Sequence, residues 1–402
     1  MTGNTPPAVL LGGTANAVSA ARSLDRAGVS VYALGEASDP VRFSRHCHAF
    51  ADVGAGDGVQ QRYLDWLERG PTGAVILPCA DDGLELVATH RARLEELGHR
   101  PIEADDEVLR AMLDKDRTYA LADQAGVERP RTATVRGPEE AEAVELEFPY
   151  ALKPIHSHLF ARHFREKLLM VHDRAELFEA LERTQALGLA MLITEVVPGG
   201  DDQYHSYYSY LDPDGRPLFH FTKRKFRQFP VRFGLSCYQM SDWHPEAAEL
   251  GLRFFQRIGL RGIGNVEFKR DARDGRLKLI ECNHRFTAAN ELVRLAGIDL
   301  PLLAYRRLAG LDSPEGLTYR VGVRMWHPIE DARALRSLRR EGELTAREWT
   351  RSLMHRQHFP MLRLEDPLPT LASLAGKARR LRGRAVPARV TVRRGGDPVT
   401  PA

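Results

Sequence analysis

Lysine is scarce in this chain of 402 residues: eight of its 57 basic side chains are lysine and the rest are arginine. Apolar runs of the roughly 20 residues that a bilayer span needs are missing, so no helical crossing of a membrane is expected. The opening segment MTGNTPPAVLLGG has neither a basic n-region nor a small-residue cleavage site, which argues against secretion. The four cysteines, Cys47, Cys79, Cys237 and Cys282, stand singly and without metal-ligand spacing. Reduced thiols and a cytoplasmic location are the expectation. Internal repeats are also missing. With 43% apolar and 28% charged residues, the chain has the composition of folded domains, two or three at this length.

Where the lysines stand is informative. Seven of the eight, Lys115, Lys153, Lys167, Lys223, Lys225, Lys269 and Lys278, fall between positions 115 and 278. A chain that otherwise prefers the planar guanidinium keeps a compact ammonium there, which marks the region for chemistry. The stretch 376–402 carries eight cations against Asp397 alone. Its +7 within a total of +3 leaves the body mildly acidic, which disfavours a global nucleic-acid-binding role. The stretch itself reads as a flexible basic tail.

The first hundred residues alternate strand and helix: AVLLGG, a helical ANAVSAARSLDRAG, VSVYALG, a helix near 59–69, AVILPC, then a helix opened by Asp81 and Asp82. Such alternation predicts an α/β domain with a parallel sheet. The GGT at Gly12–Thr14 is not GxGxxG and reads as a tight turn rather than a dinucleotide site. From about Pro101 the pattern shifts to paired antiparallel strands with helices to one side, an α+β arrangement. PLFHFTKRKFRQ follows YHSYYSYLD through a turn at Pro213–Gly215, and LKLIECN follows GNVEFKRD through Asp274–Gly275. The expected division is an N-terminal α/β domain (1–100), an α+β domain (101–310), a mixed C-terminal extension (311–375) and the tail (376–402).

Two constellations carry chemistry. Glu281, Asn283 and Arg285 alternate along a strand and so project to one side, and the Asp274–Gly275 turn brings Glu267 alongside. Hard oxygen ligands on a rigid hairpin suit Mg²⁺, with Mn²⁺ able to substitute. The competing reading is a solvated surface hairpin, which the apolar LKLIECN opposes because unpaired buried carboxylates are costly. In the basic run 222–234, Lys223, Lys225 and Arg227 are expected on one strand face and Arg224 on the other. A cleft-facing surface for phosphates and a substrate carboxylate, a solvated face and a nucleic-acid patch are the three readings. The phenylalanines at 226, 229 and 233 fit packing better than base stacking.

In order along the chain, LDKDRTYALADQAGVERPRT, PYALKPI, LITEVVPG, NVEF and IECNHRF resemble the motifs of the ATP-grasp superfamily from about Leu113 to Gly310. KPIHSHLF, FTKRKFRQFPVRFG and EDPLPTL are most similar to the D-aspartate-ligase-like carboxylate–amine ligases. The resemblance implies an α+β domain whose two subdomains clasp ATP, preceded by the α/β domain. It implies Lys115 and Lys153 on phosphates, Glu195 and the Val197 main chain on adenine, and Asp202 on ribose. It further implies Glu267, Glu281 and Asn283 on Mg²⁺ and Arg285 as the catalytic cation. The activity implied is ATP-dependent joining of a small carboxylate to an amine through an acyl phosphate, and a homodimer is the candidate assembly. An ATP-grasp carboxylase using carboxyphosphate and a non-catalytic ATP-binding protein are the alternatives. Asp81 is a candidate for an ammonium contact, or simply a helix-capping acid. The loop after the second lysine, HSHLFARHFREK, lacks the glycines usual in the family. Its His156, His158, Arg162, His163 and Arg165 are candidate phosphate donors, a zinc site there is the lesser alternative, and Lys167 is a further candidate phosphate contact.

Overall fold

The structure, a computed structural model, describes residues 5–145, 147–156, 159–160, 163–164, 168–314 and 316–382. Apolar four- and five-residue runs form the first sheet: β1 (Ala8–Leu11), β2 (Val31–Gly35), β3 (Ala49–Asp52) and β4 (Val75–Pro78) pair in parallel in the order β3-β2-β1-β4. The connecting helices are α1 (Ala15–Arg26), α2 (Val59–Leu67) and α3 (Asp81–Glu96). Gly12 has φ +96°, and a Cβ there would sit 2.5 Å from that of Ala80. The glycine pair therefore serves close packing of the β1–α1 turn against the start of α3, in line with the tight-turn reading.

Helices α4 (Asp106–Leu113) and α5 (Lys115–Gln124), N-capped by Asp105 and Asp114, lead into a second, antiparallel sheet. Its order is β5-β8-β6-β7, from β5 (Thr132–Val135), β6 (Tyr150–Pro154), β7 (Leu169–Val171) and β8 (Met191–Glu195), with α6 (Arg174–Gln185) between β7 and β8. The third sheet is the largest. β9 (Tyr204–Leu211), β10 (Phe221–Phe229) and β11 (Leu235–Asp242) precede α7 (Pro245–Arg257), β12 (Gly262–Arg270) and β13 (Leu277–Asn283). After α8 (Asn290–Ala296) and α9 (Leu300–Leu308), β14 (Arg324–Trp326) and β15 (Gln357–His358) complete the order β13-β12-β9-β10-β11-β14-β15. α10 (Pro328–Arg340) and α11 (Ala346–Ser352) lie between these last strands, and α12 (Leu368–Arg382) follows them.

Three features differ from the sequence expectation. β11 was not foreseen. The C-terminal extension, expected only as mixed structure, adds two strands to the central sheet, and α12 continues through Gly376, where a tail was expected to begin. The N-terminal unit also shares its core: Val18, Ala21 and Leu24 of α1 belong to one apolar cluster with Tyr208, Tyr210 and Phe221 of the central sheet and Leu292 and Leu303 beyond it. The chain thus carries an α/β unit joined to an α+β unit by continuous packing.

Buried ion pairs fasten the C-terminal part. Asp331 of α10, fully buried, accepts from Arg227 at 2.6 and 2.9 Å, from Trp326 Nε1 at 2.9 Å and from Trp349 Nε1 at 2.8 Å. Removing one partner of such a pair strands an uncompensated charge, at a cost of about 3–5 kcal/mol. Asp331→Ala is expected to lower the denaturation midpoint accordingly, while Arg227→Met with Asp331→Leu recovers much of the loss. Equal midpoints for wild type and Asp331→Ala would show the network to be incidental.

Candidate functional site

A cavity of about 470 Å³ opens between the second and third sheets. Its base is the β12–β13 hairpin. The antiparallel register sets Glu267 directly opposite Glu281 and Asn265 opposite Asn283, and all four line the cavity. The hairpin arises as expected, from alternating apolar and polar residues on either side of a glycine turn. Glu267 also accepts from Lys225 Nζ at 2.8 Å and from Ser206 Oγ at 3.3 Å. Two opposed carboxylates with adjacent amides are a hard-oxygen donor set that fits Mg²⁺. Among the described residues no group of three His, Cys, Asp or Glu side chains has metal-binding geometry, so a site here relies on an amide oxygen as third donor.

Cations surround this base. Lys115 opens α5 and lies against the end of β6, its N–H directed to Ile155 O at 3.4 Å. Lys153 of β6 donates to Tyr119 Oη at 3.2 Å, and Tyr119 in turn donates to Ile280 O beside Glu281. Lys223 is buried in the cavity wall, and burial pushes its ammonium down to about 7 against the opposing pull of Glu267. Lys269 donates to the Val197 carbonyl at 2.7 Å, and burial likewise pushes it down, to about 8. Arg285 donates to Asp81 at the first turn of α3. The upper wall includes Phe160 and Phe164, stacked at 4.2 Å between centroids.

Several expected residues stand differently. Arg227 does not share the face of Lys225. Register shifts on both sides of it form a bulge, so Gln228 takes the cavity-facing place and Arg227 turns to Asp331. Arg224, on the opposite face as expected, lies 4.8 Å over the Phe226 ring and outside the cavity lining, which removes it from phosphate contact. Asp202 is exposed and outside that lining, whereas its neighbour Asp201 is buried and accepts from Gln228 and from the Arg232 N–H. Asp81 gives its carboxylate to Arg285 rather than standing ready for an ammonium ion, and Ala80 occupies the cap position of α3. Glu195 lines the cavity, but its carboxylate is held by Lys278 at 2.8 Å, Arg273 at 3.1 Å and Arg131 at 3.4 Å. Any contact with an amino group there falls to main-chain atoms. Lys167, with His158, Arg162 and Arg165, lies outside the described residues.

Sequence reading passed over Gln228, Gln239, Tyr204 and Tyr208, which all line the cavity. Their alternation on β9, β10 and β11 was legible only once β11 was known to pair with β10.

No family model matches the chain. It is 26% identical over 254 residues to a D-aspartate ligase of Enterococcus faecium, a match covering 60% of this chain and 59% of that protein. The chain thus spans less than two thirds of that curated relative. In structure it resembles N5-carboxyaminoimidazole synthetase of Staphylococcus aureus, solved with ADP, at a TM-score of 0.60, 16% identity and coverage of 78% and 80% of the two chains. An L-amino acid ligase of Bacillus licheniformis superposes with a TM-score of 0.60 at 14% identity, covering 78% of this chain and 76% of that one.

The chain has the ATP-grasp fold. In this arrangement residues of the second and third sheets face one another across the cavity, and β8 with the segment after it lines one side of it. The Glu195 cluster ties those sheets together, because Lys278 and Arg273 belong to the third sheet and its turn. Burial alone would raise the Glu195 carboxyl, but Lys278, the Arg131 N–H and Arg273 outweigh it and hold the group at about 2. A depressed carboxylate contributes stability that is fully present above its ordinary range, near 4.5, and is lost as pH falls toward 2. The contribution is roughly 3 kcal/mol. Urea unfolding from pH 6 to 2.5 is expected to show this loss in the wild type and a flatter profile in Glu195→Gln. Parallel profiles would remove Glu195 as a latch between the second and third sheets.

Proposed function

We propose that this ATP-grasp chain is an ATP-dependent carboxylate–amine ligase acting on small molecules in the cytoplasm. The observation that carries the reading is the opposed Glu267–Glu281 pair, with Asn283 and Arg285 beside it, at the base of a lysine-lined cavity. The similarity to a D-aspartate ligase supports the same class. In the first step a substrate carboxylate oxygen attacks the γ-phosphorus of ATP, the bond to the β–γ bridging oxygen breaks, and ADP leaves. In the second a neutral amine attacks the acyl carbon, inorganic phosphate leaves with the bonding pair, and the nitrogen gives up a proton to the departing phosphate. Such chemistry depends on positioning and charge neutralisation more than on covalent help from the protein.

Lys115, at the start of α5, and Lys153 of β6 both line the cleft and hold phosphate oxygens. Glu267, Glu281 and Asn283 would hold Mg²⁺, which supplies charge neutralisation on the polyphosphate. Arg285, fixed by Asp81, faces the acyl phosphate and the oxyanion that follows. Lys225, already bonded to Glu267, and Lys223 next to it on the same strand face complete the cationic wall for the phosphates and the substrate carboxylate. The Val197 main chain, with Phe160 and Phe164 nearby, accommodates the base. The N-terminal unit, residues 1–100, forms the wall beside Arg285 through its pair with Asp81, and residues 101–310 form the ATP-binding body.

Glu281→Gln and Asn283→Ala are expected to keep the fold while reducing Mg²⁺-dependent ADP release at least about a hundredfold, near 3 kcal/mol of transition-state stabilisation. A screen of paired amino acids and small carboxylates, with mass spectrometry of the products, identifies the reaction. ADP release that depends on bicarbonate and not on an amine would overturn the ligase reading. Near-normal turnover in folded Glu281→Gln would overturn the assignment of Glu281 to the metal.

Lys223 gives a pH signature. With its ammonium at about 7, the free enzyme carries this charge below neutrality and loses it above. Apparent ATP affinity is expected to fall as pH rises from 6 to 8.5, and Lys223→Met flattens that fall. Identical pH profiles would place Lys223 outside the phosphate wall.

A further inference from the structure

We propose that the exposed face of α12, with the basic segment that follows it in sequence, docks on an anionic lipid bilayer surface. Leu364, Leu368, Leu371 and Leu374 are 92%, 56%, 55% and 40% exposed. At 100° per residue, Leu368, Leu371 and Leu374 fall within an arc of about 120°, together with the exposed Ala375 and Ala378. Pro369, on another side of the helix, is buried, and the neighbouring 3-10 turn Pro40–Phe43 adds a further exposed aromatic, Phe43. An apolar stripe of this kind, left in water on a folded chain, marks a contact surface.

Charge selects the partner. From Leu368 to Arg394 the sequence holds eight Lys and Arg residues and no acid. Lys377 is paired with Glu330 at 2.6 Å, and the other seven cations in that stretch are all arginines. A second copy of the chain would bring like charges together around the leucines. A nucleic acid would meet the arginines but leave the leucines in water, and no aromatic residue stands between 368 and 394 to stack on a base. An anionic bilayer satisfies both components, with leucines at the acyl boundary and arginines among the headgroups. At 15 residues with several charges α12 cannot span, and among the described residues no helix is long and apolar enough to cross a membrane. The attachment is therefore peripheral and reversible, a surface role that the absence of a spanning helix does not address.

The test uses the full chain and sedimentation with vesicles of phosphatidylcholine, with or without about one third phosphatidylglycerol. Partitioning onto the anionic vesicles is expected to be at least about tenfold stronger and to weaken as salt rises. Leu364→Gln/Leu368→Gln/Leu371→Gln is expected to reduce it at least about tenfold without changing the circular dichroism or melting temperature. Arg379→Gln/Arg380→Gln/Arg382→Gln should reduce it as well. Equal partitioning onto neutral and anionic vesicles overturns the proposal, as does a leucine variant that binds like wild type. A leucine-dependent dimer in light scattering without vesicle binding would assign the face to a second copy, and leucine-independent binding to a DNA duplex alone would assign the segment to nucleic acid.

Discussion

The site depends on one buried amide. Asn16, at the start of α1 and 3% exposed, donates from Nδ2 to the Cys79 carbonyl at 2.6 Å and to the Phe286 carbonyl at 2.8 Å. Cys79 follows β4, two residues before Asp81, and Phe286 follows Arg285, so this single side chain fixes the two segments whose charges meet at the cavity edge. The same helix face continues the attachment. Ser19 donates to Glu291 at 2.7 Å and Arg22 to Asp366 at 2.8 Å, three and six residues along from Asn16, so one polar stripe of α1 binds the site loop and the C-terminal strap in turn. The N-terminal unit is thereby a structural wall of the ATP-grasp body rather than a separate domain beside it.

Arginine and lysine divide the work. Arg22, Arg227 and Arg294 sit in buried or half-buried pairs with Asp366, Asp331 and Glu291, where the planar fork reaches a carboxylate with two donors or adds a main-chain acceptor. The cavity instead presents Lys115, Lys153, Lys223, Lys225 and Lys269. The scarcity of lysine in the sequence pointed to this stretch of chain for a physical reason: a point charge on a flexible stem can follow a polyphosphate, while a guanidinium locked to its carboxylate holds the frame.

Local periodicity made the hairpin legible. Residues two apart share a face and a glycine turn folds the strand back, so the sequence pattern alone brings Glu267 and Glu281 together. The same rule failed three strands away. It put Arg227 beside Lys225, but a bulge is a two-against-one count set jointly with the partner strand, and β11 had not been recognised. Glu195 failed for a different reason. It lines the cavity at the end of β8, but the three cations that occupy its carboxylate come from positions 131, 273 and 278, brought in by tertiary packing that no local pattern encodes. Asp331, which captures Arg227 from 104 residues away, is the same kind of case.

The balance of charge in the cleft explains why those long-range pairs matter to the site. Lys223 and Lys225 are both buried on one strand face with Glu267 as the nearby carboxylate, and the downward displacement of Lys223 shows that burial outweighs that attraction. Holding two ammonium groups out of water is unfavourable, and packing elsewhere has to sustain it. The Asp331 and Asp366 networks, remote from the cavity, supply that rigidity by fixing the far side of β10 and the outer side of α1. A polyanion entering the cleft then meets cations already stripped of water and held in place, so attraction is felt at short range in a low-dielectric setting with little reorganisation. Frame and site are two ends of one electrostatic arrangement: Arg227, turned away from the cavity by its bulge, anchors from behind the strand that carries Lys223 and Lys225 into it.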